Sequence, residues 1–173
     1  METCTREKLA KAAREKALLP FHGFIDGKRS NLEPIVRHFP KWSPEEADGL
    51  WCAAFVYYCC REAGFDIPYY PKECTRCHLA GCPGWEDLAL NDPRIEYHKG
   101  SERFEPEAGD IVIYDRVFNG QEHDHMGIVL EYRGNELVAA EGNHNNVSGI
   151  VTRPTDEHIR AFIRFPDGYV YSE

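Results

Sequence analysis

Leu50 to Gly64 carries almost no charge, and its apolar residues fall on every side of a 3.6-residue wheel rather than along one stripe. That pattern predicts a helix enclosed by protein. Asp48 and Gly49 suit its start, and Arg61 and Gly64 suit its stop. Upstream, Thr5 to Leu18 reads as a helix of good formers with Leu9, Ala12, Ala13 and Leu18 as a modest apolar face. Short helices are predicted through Glu33–Val36 and from Ser43-Pro44, where serine can cap and proline suits the first position. Phe65 to Glu73 reads as extended. Cys74 to Leu90 reads as partly helical and broken by Pro83-Gly84. From Tyr97 the pattern changes to short apolar runs: Ile111–Tyr114, Met126–Tyr132, Glu136–Glu141, Ile150–Thr152 and Ile159–Phe165. Helices first and an antiparallel sheet afterwards predict an α+β fold.

Within that sheet the register decides whether polar residues meet. A three-residue loop at Arg133-Gly134-Asn135 would pair Tyr132 with Glu136, Gly127 with Glu141 and His125 with Asn143. His125, Glu141 and Asn143 would then share one face, with Met126, Ile128, Leu130, Val138 and Ala140 on the other. A two-residue turn at Gly134-Asn135 would slip the pairing by one and send His125 to the opposite face from Glu141. Gly127 and Ala139 are small and lie on the His125 face. They would leave room for a helix end, and Cys52, in the first turn of the apolar helix, would sit where aligned N–H dipoles favour thiolate.

At 173 residues the chain is long enough for one full core, and a single domain is expected. The net charge of −9 argues against nucleic acid and against adhesion to an anionic membrane. No apolar run reaches the length of a membrane span. Met1 to Leu19 has no apolar core and does not read as a secretory signal, so a cytoplasmic location is the default, with a phage-type or other non-classical release route as the alternative. Seven cysteines without an export signal read as reduced thiols. Cys59 and Cys60 read as core. Cys74, Cys77, His78 and Cys82 could in principle hold zinc, but the spacing is tight for one tetrahedral site. His123 and His125 flank Asp124 without the glutamate spacing of a metal-binding His-x-His motif, and His123 reads as a loop residue near the mouth of a cleft. No metal or cofactor is expected.

Four blocks now stand in order: Cys52 within Trp-Cys-Ala-Ala-Phe-Val, Gly-Asp-Ile-Val-Ile-Tyr at 109–114, His125-Met-Gly-Ile-Val, and Glu141-Gly-Asn143. Their order and spacing resemble the CHAP family (cysteine, histidine-dependent amidohydrolase/peptidase), which belongs with NlpC/P60 among the papain-like folds. The resemblance implies a single CHAP-like domain over 1–173, with a helical extension at 1–49 and a catalytic core at 50–165. In that core a cysteine at a helix N-terminus would pack on an antiparallel sheet. It implies amide hydrolysis, commonly in peptidoglycan or its peptides, with Cys52 as nucleophile, His125 as base, Glu141 as orienting residue and Asn143 assisting. Stem peptides, muramyl amides and small-molecule amides all fit as substrates, and no oligomeric state is implied. Members with a calcium loop carry alternating acids before the cysteine; Glu45, Glu46 and Asp48 lack that alternation, so no calcium is expected. Two other readings compete: a catalytically idle peptide- or glycan-binding module of the same fold, and a zinc-stabilised module.

Overall fold

The computed structural model describes residues 2–172. Five helices precede six strands: α1 (Arg6–Leu18), α2 (Glu33–Val36), α3 (Pro44–Ala47), α4 (Cys52–Glu62), α5 (Cys82–Asn91), then β1 (Glu96–Lys99), β2 (Ile111–Tyr114), β3 (His125–Tyr132), β4 (Glu136–His144), β5 (Val147–Pro154) and β6 (Ile159–Arg164). The strands form one antiparallel sheet in the order β1-β6-β2-β3-β4-β5. The α+β architecture expected from the sequence is what the chain adopts. Among the described residues, no helix is long and apolar enough to cross a membrane.

The helix starts follow local chemistry. Thr5 caps α1 by accepting from the Lys8 N–H, and Ser43 caps α3 by accepting from Glu46. Pro83-Gly84 does not break a helix, as the sequence pattern suggested. It opens α5, because a proline in the first turn gives up only an N–H that has no intrahelical partner. The expected cap of α4 also differs. Trp51 stands at the N-cap with no side-chain hydrogen bond, while Asp48 accepts instead from Phe24 N–H and Asn146. The first N–H groups of α4 are therefore left for other partners.

Helix α4 is buried along nearly its whole length, from Ala53 to Cys60. It packs on the sheet face formed by Ile111, Ile113, Met126, Ile128 and Ala140, and Leu9, Ala13, Phe21 and Leu32 from the first 49 residues join the same core. The opposite face carries a smaller cluster of Val112, Tyr114, Val129, Leu137, Ala139 and Phe162. The helix thus docks on the face away from Gly127 and Ala139, which corrects the expectation. Space for it comes from Gly142, where an added Cβ would lie 2.4 Å from the Phe55 Cβ. Gly127 instead makes room for the Glu141 side chain, whose Cγ would lie 2.8 Å from an added Cβ.

The β3–β4 register combines the two alternatives drawn from the sequence. The turn has two residues, Gly134-Asn135, with Arg133 bonded to Glu136 and Tyr132 opposite Leu137. Gly134 at φ +84° supplies the positive φ that such a turn requires. A bulge then shifts the ladder between Val129 and Glu131, so that Val129 faces Ala139 and Ile128 faces Ala140. Just beyond those pairs, Gly127 lies against the Glu141 side chain. A second two-residue turn, Asn145-Asn146 with φ +54° and +65°, carries β4 into β5, longer than the short run read from the sequence.

Candidate active site

The chain brings His125, at the start of β3, against Glu141, near the end of β4. Nε2 of His125 lies 2.8 Å from Oε1 of Glu141. Both side chains are almost wholly buried. Arg153 on β5 holds the same carboxylate from behind, donating Nε to Oε2 at 2.6 Å and Nη2 to Oε1 at 2.7 Å. Its guanidinium also lies over the Tyr114 ring, 4.6 Å from the centroid. The Tyr114 and Phe118 rings run nearly parallel to the His125 imidazole. Ring packing and the carboxylate together fix the imidazole plane. They leave Nδ1, buried and without a nitrogen or oxygen partner among the described residues, as the atom free to meet Cys52.

Cys52 is the first residue of α4 and is partly exposed on the wall of a cavity of about 370 Å³. Gly81, Phe118, His123 and Asn143 line the same cavity. Its sulfur lies 3.9 Å from the sulfur of Cys82, the first residue of α5. The Cys82 thiol, by hydrogen bonding to Cys52, lowers the Cys52 pKa well below that of an ordinary thiol. Burial opposes this, while His125 and the Ala53 N–H add to it. Burial likewise works against a charge on His125. Hydrogen bonds to Cys52 and Glu141, with the negative charges of both, overcome it and hold the imidazole at about 9. Glu141 is desolvated, yet Arg153 and His125 keep it at about 2. The favoured protonation is a thiolate on Cys52, an imidazolium on His125 and a carboxylate on Glu141. Cys59 and Cys60, farther along α4, are pushed the other way, chiefly by burial and further by neighbouring thiols, and stay thiols.

Asn143 reaches the cavity but does not bond to the histidine. Its backbone, at φ +60°, sits at a shift in the β4–β5 ladder, and its Nδ2 donates to Gly49 O at 2.8 Å. Its Oδ1 is buried with no partner among the described residues. Asn146 braces the same segment. Its Oδ1 accepts from Gly49 N–H and Trp51 Nε1, and its Nδ2 donates to Asp48. Two asparagines, one near the end of β4 and one in the turn that follows, thus hold the chain leading into Cys52.

Other candidates resolve differently. Asp110 anchors its strand, accepting from Arg164 at 2.9 and 2.7 Å and from the Glu107 N–H. His123 meets Arg76, and Asp124 accepts three backbone N–H groups from residues 117–119, so these two do not converge with His125. Cys74 donates to Gly84 O, His78 accepts from Ala80 N–H and Cys82 faces Cys52, so these members of the cysteine cluster point to separate partners. Among the described residues, the group spaced to hold a metal ion is Asp156, Glu157 and His158 on the β5–β6 turn, with both acids exposed. Arg153, Tyr114 and Asn146 carry no sequence signal as parts of a site, and Cys82 reads there only as a possible zinc ligand.

Comparison with known proteins adds an independent view. The CHAP domain model matches residues 44–143, more than half of the chain and a stretch that includes Cys52, His125, Glu141 and Asn143. The fold is similar to the crystal structure of Ly7917 with the hydrolyzing product of MDP, at a TM-score of 0.54 and 14% identity, covering 94% of this chain and 63% of that one. A further crystal structure of Ly7917 aligns at a TM-score of 0.49 and 14% identity, over 92% and 61% of the two chains. This chain therefore spans less than two thirds of the length of Ly7917. No curated protein matches it.

Proposed function

The chain belongs to the CHAP domain family, and from that premise we propose that it hydrolyses amide bonds through a Cys52–His125–Glu141 triad. Family membership supports an amidase or peptidase activity. The observation that carries the cysteine mechanism is the division of the two imidazole nitrogens: Nε2 is held by Glu141, and Nδ1 is left for a cysteine at an uncapped helix start. Cys52, already a thiolate, attacks the amide carbonyl carbon. The developing oxyanion is met by N–H groups of the first turn of α4, which no side chain caps. The His125 imidazolium gives its Nδ1 proton to the leaving amine as the C–N bond breaks, and an acyl-Cys52 thioester remains. His125, now neutral, takes a proton from water, which attacks the thioester and releases the acid. Glu141, pinned by Arg153, stabilises the imidazolium and holds its plane. Asn143 Oδ1 offers an acceptor to a substrate N–H.

The substrate class proposed is the peptide portion of peptidoglycan. The similar fold of Ly7917 was crystallised with the hydrolyzing product of MDP, a peptidoglycan fragment. The test is mass spectrometry of peptidoglycan fragments and simple peptide amides after incubation with the wild type and with Cys52→Ala. New amine and carboxylate termini made only by the wild type are expected. Equal cleavage by Cys52→Ala would overturn the mechanism, and cleavage of peptide amides but of no wall fragment would overturn the substrate class.

A further inference from the structure

Two helices begin at one point, and each begins with a cysteine. Cys52 opens α4 and Cys82 opens α5, their sulfurs 3.9 Å apart, and all seven cysteines are free. Hydrolysis as described uses only Cys52 as nucleophile. The Cys82 side chain is buried, and its thiol bears on that step only through its hydrogen bond to Cys52. Among the described residues, its sulfur makes no hydrogen bond other than the one to Cys52.

We propose that Cys52 and Cys82 form a site of reversible oxidative modification, in which a hydroperoxide oxidises Cys52 and Cys82 resolves it as a disulfide that removes the nucleophile. This rests on the reading of Cys52 as a thiolate given above. The Cys52 thiolate attacks the distal oxygen of the hydroperoxide ROOH. The O–O bond breaks, Cys52 becomes the sulfenic acid, and the departing alkoxide takes the His125 proton to leave as ROH. The Cys82 thiol then passes its proton to His125 and attacks the Cys52 sulfur. The S–O bond breaks, and hydroxide leaves as water with the proton from His125. Two thiol sulfurs are oxidised by two electrons and one peroxide is reduced.

The surroundings favour this order of events. Cys82 is held as a thiol first by its hydrogen bond to Cys52, then by burial and by the Cys52 charge. Conversion of Cys52 to an uncharged sulfenic acid removes the charge, so the resolving thiol ionises more readily only after the first step. Both residues line the cavity, which admits a small peroxide. Bond formation needs the sulfurs to close from 3.9 Å to about 2.05 Å. Side-chain rotation at two helix starts can supply that movement.

The test uses the full chain, reduced, exposed to hydrogen peroxide, alkylated and digested without reductant, and read by mass. Expected are loss of two hydrogens from the intact wild type, a linked peptide pair containing Cys52 and Cys82, and reversal of both by dithiothreitol. In Cys82→Ser, Cys52 should instead gain oxygen and proceed to sulfinic acid, which dithiothreitol does not reverse. Oxygen addition at Cys52 in the wild type without a linked pair would overturn the proposal, as would equal sulfinic acid in both proteins. The readout needs no substrate, so failure to cleave any amide would sink the proposed hydrolysis and leave this result standing.

Discussion

Arg153 grips Glu141 with two hydrogen bonds of 2.6 and 2.7 Å, on the carboxylate that also receives Nε2 of His125. The carboxylate is thus fixed before any substrate arrives, and its charge is balanced from behind. Glu141→Gln keeps the size of the side chain but removes the charge that stabilises imidazolium. kcat is expected to fall between about 10²- and 10⁴-fold, as when orienting carboxylates are lost from triads. Arg153→Ala leaves Glu141 buried with one partner fewer. It should cost roughly 3 kcal/mol of stability, because a buried charge is left uncompensated. Urea denaturation of both variants beside steady-state kinetics compares the two effects: both should lose stability, because each breaks the buried Arg153–Glu141 pair, and Glu141→Gln should show the larger loss of rate.

The protonation pattern fixes a pH profile. Cys52 is depressed, so its thiolate persists well into acid, and activity should decline on the acid side only as that thiolate is protonated. His125 is raised to about 9, so the imidazolium that the proposed mechanism uses to protonate the leaving amine is present through neutral pH and is lost as pH climbs through about 9. A profile of kcat/KM with its alkaline limb near 9, rather than near the ordinary histidine value, is the expected result. Iodoacetamide should label Cys52 at pH 6 while leaving Cys59 and Cys60 unlabelled, since burial raises both of those thiols. Equal labelling of Cys52 and Cys59 would contradict the assignment.

Much of this arrangement could be read from the chain, and the parts that could not have physical reasons. Alternation along β3 and β4 put His125 and Glu141 on one face, but the loop predicted to set that register is not the one that forms. A two-residue turn would have separated them, and one bulge between Val129 and Glu131 restores the pairing. Bulges leave no mark in an apolar–polar pattern, since Leu130 reads as an ordinary apolar strand position. Pro83-Gly84 was ambiguous because proline both ends and begins helices; which it does depends on whether the preceding residues are already helical. Arg153 carries no signal in the sequence because its contact is made across a strand pair, twelve residues from Glu141. An arginine between Thr152 and Pro154 at the end of β5 looks solvent-facing until the partner strand is known. By sequence proximity Cys82 belongs with Cys74 and Cys77, whereas α5 turns it toward a residue thirty positions away.

Gly142 offers a test of how closely α4 must approach the sheet. An added Cβ would stand 2.4 Å from Phe55 Cβ and 2.8 Å from the Trp51 ring. Gly142→Ala must therefore push α4 outward or distort β4. A cost of about 1–3 kcal/mol is expected from such overpacking. The displacement acts on the first turn of α4, so kcat should fall as well. Phe55→Ala should not rescue the variant, because alanine keeps the Cβ that is nearest. A Gly142→Ala protein with wild-type stability and rate would show that the close approach is not required.

Asn143 offers a test that would separate binding from positioning within one side chain. Its Nδ2 holds Gly49 O at 2.8 Å, and its Oδ1 is buried without a partner among the described residues. An unpaired buried carbonyl is costly and gains when a substrate N–H arrives. Asn143→Asp keeps an acceptor but gives up the donor to Gly49, which loosens the segment before Cys52. Asn143→Ala gives up both. If Oδ1 binds substrate, Asn143→Ala should raise KM by about tenfold, the size of one lost hydrogen bond of roughly 1.4 kcal/mol. Asn143→Asp should then hold KM closer to the wild type while lowering kcat. Equal KM in the two variants would assign Asn143 to bracing alone, in which case Asn146→Ala, which frees the same Gly49–Trp51 segment, should reproduce its effect on kcat.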